Sequence, residues 1–245
     1  RAVLVKEGQT LSFAGARNGC RGYIAFAGGL DIPIVMGSKS TLLRNHLGGV
    51  KGRKLEKGDE IGFVSAKTIL PNMEARKVPA NVYPKKEIVL RVVLGPQDDE
   101  FTEAGVKSFF WNSGVITNEF DRMGCRLEGP FIAPKKTSDI ISDGIAFGAI
   151  QVPSHGKPII LLADRQTTGG YGKIATVASV DIPKLVQRKT DDKIHFKAIT
   201  VQEAQALYVE EMKELDGLRK IIHQPCKEVL DCRLVAKRLR KLFEE

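Results

Sequence analysis

Lys173 closes the run Asp164-Arg165-Gln166-Thr167-Thr168-Gly169-Gly170-Tyr171-Gly172-Lys173, which separates the apolar stretch Ile159 to Ala163 from the β-prone stretch Ile174 to Val180. A strand reversal needs only about two to five turn residues, so this polar, glycine-rich insert exceeds what geometry requires and reads as a site. Its residue types suit recognition and activation of an amide or a carboxylate. Arg165 offers a planar donor fork for a carboxylate, Gln166 and Thr168 can fix orientation beside Tyr171, and Gly169 and Gly170 let the backbone approach a ligand closely. Lys173 can stabilise negative charge on an amide oxygen as it develops. A phosphate cradle of the G-x-x-x-x-G-K-[ST] type is excluded. Thr167 stands where the first glycine should be, Ile174 replaces the metal-binding hydroxyl, and a strand-like run follows where a helix must open.

Four further polar clusters lie at strand ends: 95–101 with Gln97 and Asp98, 118–129 with Arg122 and Arg126, 138–144 with Asp143, and 148–158 with Gln151. Turns favour aspartate and glycine on their own account, so any one cluster alone reads as a turn. Five together imply a shared site, with Arg165, Lys173 and Asp143 as catalytic candidates. Gln97, Asp98, Arg122, Gln151, Gln166, Thr168, Gly169, Gly170 and Tyr171 are the substrate-binding candidates. The arginines have a second reading, in which they pair with Asp121, Glu128, Asp143 or Asp164 to tie loops together. Asp98, Asp99 and Asp143 can act as bases only where burial tunes them. Ser154-His155 sits in a Pro-Gly turn with poor geometry for a nucleophile and its base, and Cys125 reads as a small packing residue.

The elements that must position these residues are short strands. Residues 1–70 show β-prone runs closed by glycine turns, interrupted by a short helix from about Ser40, and 71–86, with Pro71, Pro79 and Pro84, reads as a linker. Residues 87–199 repeat the strand pattern around one helix after Pro96, with Asp98 or Asp99 near its start and Phe101, Gly105 and Phe109 on one face. Without long crossover helices, the fold class is mainly β, a barrel or sandwich. From Thr200 a capping box opens a helical tail, and Pro225 starts a second helix carrying Val229, Leu230, Leu234, Leu239 and Leu242.

The chain of 245 residues has a formal net charge of +9, carried diffusely by residues 1–199, because Lys/Arg and Asp/Glu balance beyond them. No RNA-binding aromatic signature accompanies that charge, so it reads as a solvated surface or a field for anionic substrates. No window approaches a membrane span, no long apolar leader opens the sequence, and the expected location is the cytoplasm. Four scattered cysteines and four histidines lack metal-ligand spacing, so no metal is expected.

The segments "AFAGGLDIPIVMGSKSTLLRNHLGGVKGRKLEKGD", "GPQDDEFTEAGV", "DRMGCRLEGP" and "DIISDGIAFGAIQVPSHGKPIILLADRQTTGGYGKIATV" closely resemble the family called allophanate hydrolase subunit 2, or biotin-dependent carboxyltransferase subunits A and B. The family takes in the C subunit of bacterial 5-oxoprolinase, Kip-type regulators and the carboxyltransferase part of urea carboxylase. The resemblance spans about residues 20 to 200. It implies two cyclophilin-like β-barrel domains, the first incomplete because the family's usual N-terminal "TVQDLGRxG" and "SGAMD" motifs are not in this sequence. It also implies partner subunits A and B and ATP-driven opening of the 5-oxoproline lactam to glutamate. The alternatives are carboxyl transfer from carboxybiotin to urea or a similar amide, or a non-catalytic Kip-type regulatory role. No biotin-accepting A-M-K-M motif and no ATP-grasp domain is legible, so biotin or nucleotide chemistry would need another chain.

Overall fold

The computed structural model describes residues 2–65, 76 and 86–223. The described chain forms two compact units, one from 2–11, 23–65, 76 and 219–223, the other from 12–22 and 86–218.

In the first unit the β-prone runs do not assemble into strands. Among its described residues in 2–65 only isolated bridges form, such as Leu30 with Phe63 and Leu42 with Leu47, and the helix expected from Ser40 reduces to one 3₁₀ turn, Leu43–Asn45. Val3, Leu4, Val5, Leu11, Ile24, Ile34 and Val64 are exposed. Strand propensity measures packing against a neighbour more than a backbone preference, so these runs without a paired partner stay irregular. Arg53 and Asp59 brace the turn between them with two parallel hydrogen bonds of 2.8 and 2.7 Å.

The second unit is a closed barrel. In chain order the elements from residue 87 onward are β1 (Glu87–Leu94), α1 (Glu103–Trp111), β2 (Gly114–Phe120), β3 (Gly124–Glu128), β4 (Asp139–Gly144), β5 (Ala149–Gln151), β6 (Ile159–Leu161), β7 (Thr168–Tyr171), β8 (Lys173–Val177), α2 (Ile182–Leu185), β9 (Lys193–Ala198) and α3 (Val201–His223), of which the last turn of α3 lies beyond the second unit. Seven strands close in the order β1-β8-β5-β6-β3-β2-β9, and β4 pairs with β7 as a separate two-stranded sheet. Only β1 and β9 run parallel; the other pairs are antiparallel.

The sequence explains the closure. β1 alternates, with Leu90 and Val92 facing inward, and Ile116, Cys125, Leu127, Ile150, Ile160, Ile174 and Ile194 fill the same interior, all buried. Interior side chains of a small barrel pack it solid. α1 covers β9, with Phe109 stacked on Phe196 at 4.3 Å between ring centroids. Its N-cap is Thr102, whose Oγ1 accepts the Gly105 N–H at 3.0 Å; Asp98 and Asp99 lie in a separate 3₁₀ turn, Asp98–Glu100. This corrects the cap expected from the aspartates: Phe101 is extended between the two turns and breaks the helix there.

The capping box at Thr200 and Glu203 forms as the sequence implies. Thr200 Oγ1 accepts the Glu203 N–H at 3.1 Å, and Glu203 accepts the Thr200 N–H at 2.7 Å. No residue of α3 is buried. The second tail helix and most of the 71–86 linker lie outside the described residues. Among those described, no helix is long and apolar enough to cross a membrane, and no group of His, Cys, Asp and Glu could hold a metal ion.

Burial pushes the Cys125 thiol up to about 12, so its reactive thiolate is scarce near neutral pH. Maleimide treatment of the native protein at about pH 7.5, followed by peptide mapping, should leave Cys125 unmodified until urea is added. Native labelling of Cys125 at the rate of an exposed thiol would contradict a closed barrel.

Candidate functional site

The insert that closes on Lys173 is not a single loop. Residues Thr168–Tyr171 form β7 against β4, and Lys173 is the first residue of β8. The expectation of a loop running through to Lys173 is corrected for a physical reason: Asp143 pairs with Gly169 and Gly144 with Thr168, giving the glycine-rich stretch a partner strand that its sequence does not announce.

The glycines follow from this pairing. A Cβ on Gly169 would stand 2.7 Å from Ile145 Cδ1 and 3.2 Å from Gln151 Nε2, one on Gly170 3.2 Å from Ile140 O, and one on Gly172 3.2 Å from Phe101 Cζ. The close approach that glycine allows is therefore to β4, Gln151 and Phe101.

Lys173 lies at the centre of the polar side chains that converge. It is 3% exposed, and its Nζ is 3.1 Å from Asp143 Oδ2. That contact is at ion-pair distance, yet Nζ makes no well-directed hydrogen bond to any described protein atom. A buried ammonium paired with one carboxylate has three donors, of which no other described side chain takes up any. Asp143, 55% exposed, is its counter-charge. The Lys173 ammonium, then the Gly144 N–H at 2.7 Å, hold its carboxyl below the usual carboxylate range. Gln97 Nε2 is 3.4 Å from the same carboxylate, and Gln97 Oε1 accepts the Lys173 N–H at 3.2 Å. Buried Gln151 pairs with Lys173 across β5 and β8, its Nε2 3.5 Å from Tyr171 O. Ser138, whose Oγ is buried and also without a hydrogen-bond partner, accepts the Gly172 N–H on its carbonyl. Sequence reasoning missed Ser138, since nothing separates it from any serine that opens a strand.

The structure places the remaining candidates elsewhere or in other roles. Arg122 pairs with Asp164 through bonds of 2.8 and 2.9 Å, the loop-tying arrangement that was its second reading, and this pairing lowers the Asp164 carboxyl. Arg165 donates to Ile145 O at 3.0 Å and Leu162 O at 3.4 Å, with its guanidinium 5.7 Å from the Phe147 ring centroid. These contacts brace the β6–β7 connection. Arg126 pairs with Glu119 at 2.7 Å. Gln166, Thr168 and Tyr171 are exposed, and Asp98 heads its 3₁₀ turn. The candidate residues that come together are thus Lys173, Asp143, Gln97 and Gln151, with Gly169 and the Tyr171 carbonyl around them. A cation and an anion, with the Gln151 amide beside them, can hold a polar planar group by its carbonyl oxygen and its N–H together.

A family model described as carboxyltransferase domain, subdomain A and B, matches residues 1–198. The C subunit of 5-oxoprolinase from Escherichia coli (strain K12) is 34% identical over 219 residues, which cover 89% of this chain and 69% of that protein. Urea amidolyase of Saccharomyces cerevisiae is 29% identical, over 89% of this chain and 13% of that protein. Among solved structures, the K. lactis urea amidolyase superposes with a TM-score of 0.71 at 25% identity, covering 82% of this chain and 13% of that chain. The chain therefore spans only a small part of the solved protein it matches.

Proposed function

The chain belongs to the carboxyltransferase domain, subdomain A and B, family, and from that premise we propose that it is the C subunit of a 5-oxoprolinase-type complex. The complex, acting in the cytoplasm with partner subunits A and B, opens the 5-oxoproline lactam to glutamate at the expense of ATP. The likeness to the C subunit of 5-oxoprolinase over most of both chains supports this reading. The observation that carries it is the buried Lys173 ammonium paired at 3.1 Å with the half-exposed Asp143 carboxylate.

On this reading Lys173 donates to the lactam carbonyl oxygen and stabilises the charge that gathers there when water adds to the carbonyl carbon; the ring C–N bond then breaks and the proton released by the water passes to the leaving nitrogen. Asp143, kept ionised by Lys173 and the Gly144 N–H, accepts from the ring N–H. Gln151 fixes the plane of the amide. Lys173 opens strand β8, so the site is not a phosphate cradle of the kind built on a helix N-terminus. On this reading nucleotide binding is assigned to the partner subunits, and no step here runs through ATP. The likeness to urea amidolyase favours a second reading, carboxyl transfer to urea, for which the same donor and acceptor pair suits a urea carbonyl and N–H.

The test is reconstitution with cognate subunits A and B. Glutamate should form from 5-oxoproline with ATP hydrolysis when all three chains are present, and at least about tenfold more slowly when this chain is omitted. Equal rates without it would overturn the proposal. Consumption of urea and bicarbonate with a biotin carboxylase, and none of 5-oxoproline, would transfer it to the second reading.

A further inference from the structure

Lys173 opens its strand where the regular ladders on both sides end. On one side β1 stops at Leu94, because Pro96 has no N–H to continue it, and Gly95 N–H reaches Ile174 O at 2.9 Å as the last backbone rung. On the other side the β5–β8 register shifts between Ile150 and Gln151, which sets Gln151 opposite Lys173 and leaves Ile174 as an extra residue. Bulges of this kind re-aim a side chain. The Lys173 N–H consequently goes to a side chain, Gln97 Oε1, at 3.2 Å. The other end of the same amide, Nε2, stands 3.4 Å from Asp143 Oδ2, the oxygen that also faces Lys173 Nζ.

The amide orientation is determined by its neighbours. Turned over, it would set N–H against the Lys173 N–H and oxygen against a carboxylate oxygen. Gly95 secures the approach, since a Cβ there would stand 2.1 Å from Lys173 O. The stretch Gly95 to Phe101 thus meets residues 172 and 173 at three points: Gly95, Gln97 and Phe101.

We propose that Gln97 is a positioning residue, which sets the Asp143 carboxylate against the Lys173 ammonium by holding the Lys173 backbone with one end of its amide and the carboxylate with the other. It does not bind substrate, because both ends of its amide face the protein. The inference deepens the function proposed above and rests on its choice of Lys173 and Asp143 as the working pair. Of the groups around Asp143, Lys173 on β8 is the charged one, with Gln97 and the Gly144 N–H as neutral donors.

The Gly144 N–H donates to Asp143 Oδ1, so its amide shift in nuclear magnetic resonance spectra reports the ionisation of Asp143 without any activity measurement. Q97E keeps the acceptor for the Lys173 N–H but brings a second carboxylate to Asp143, and Q97M removes both contacts. The Asp143 midpoint should rise by about half a unit or more in Q97E, and by less in Q97M. In the reconstituted complex both variants should lower kcat with little change in KM. Midpoints unmoved in both variants, or a raised KM at constant kcat, would overturn the positioning role. If Q97M does not fold, Q97E alone decides. If no lactam is opened by any complex, the functional reading fails while the titration remains readable.

Discussion

Lys173→Met should lower kcat of the reconstituted complex by about 10²- to 10³-fold, the usual loss on removing one donor from a charge-stabilising site, while leaving the barrel folded. The two effects separate because of where each partner sits. Lys173 Nζ is buried, so its ammonium is poorly solvated and its attraction for a developing oxyanion is screened little by water. Asp143 is more than half exposed, so losing its partner leaves a carboxylate that water can solvate. Methionine follows the lysine stem and keeps its packing, and because water reaches the Asp143 carboxylate left behind, no uncompensated buried charge is created. Urea denaturation should therefore place the variant within about 1 kcal/mol of the parent. Asp143 should also titrate at higher pH in the variant, because Lys173 is the largest influence holding its carboxyl down. Full turnover by Lys173→Met, or a loss matched by unfolding, would remove this residue from the chemistry.

The sequence reached this lysine by an imperfect route, and the imperfections have physical causes. Lys173, Asp143, Gln97 and Gln151 stand out as polar residues beside β-prone runs, and the structure brings those four together. Arg122 and Arg165 stood out for the same reason, yet a guanidinium fork fits a neighbouring carboxylate or carbonyl as well as a ligand, and only the fold decides which is nearer. Arg122 meets Asp164, and Arg165 meets Ile145 O. The three glycines have a comparable ambiguity. Local sequence shows that something must come close to Gly169, Gly170 and Gly172, but β4 lies more than twenty residues upstream, and its pairing is invisible to a local window. β1, β5, β6, β8 and β9 were legible because β-branched residues fill a packed interior. The β-prone runs of the first unit carried the same signal without acquiring paired strands.

Beyond the far end of β8 one buried carboxylate ties it to the middle of β1, and its replacement should have the largest effect on stability. Asp181 has no exposed side-chain surface. It accepts the Arg91 N–H at 2.9 Å, the Arg91 guanidinium at 2.8 and 2.6 Å, and Lys184 Nζ at 2.6 Å. It stands just after β8, while Arg91 lies in β1, so the strand that begins with Lys173 and the strand that leads to Gln97 are joined here. Asp181→Asn keeps the size and one acceptor but removes the charge that compensates Arg91, and breaking a buried pair in this way costs about 3–5 kcal/mol. Lys184→Met should cost less than about 1 kcal/mol, because Lys184 is half exposed and Arg91 remains paired. The pH dependence gives a second readout. Burial pushes the Asp181 carboxyl up, but the bonds from Arg91 and Lys184 outweigh it and leave it below its ordinary value. A carboxyl lowered by folding stabilises the protein above its unfolded-state value, about 3.9, and that contribution is lost as pH falls through the folded-state value. The parent should therefore lose stability on acidification below about pH 5, whereas Asp181→Asn should start lower at neutral pH and show a shallower acid slope. Urea midpoints measured from neutral pH to about pH 3 test both. A cost under about 1 kcal/mol at neutral pH, or acid slopes identical in the two proteins, would mean that β1 and β8 are held by their ladder alone and that this ion pair contributes nothing to setting Gln97 against Lys173.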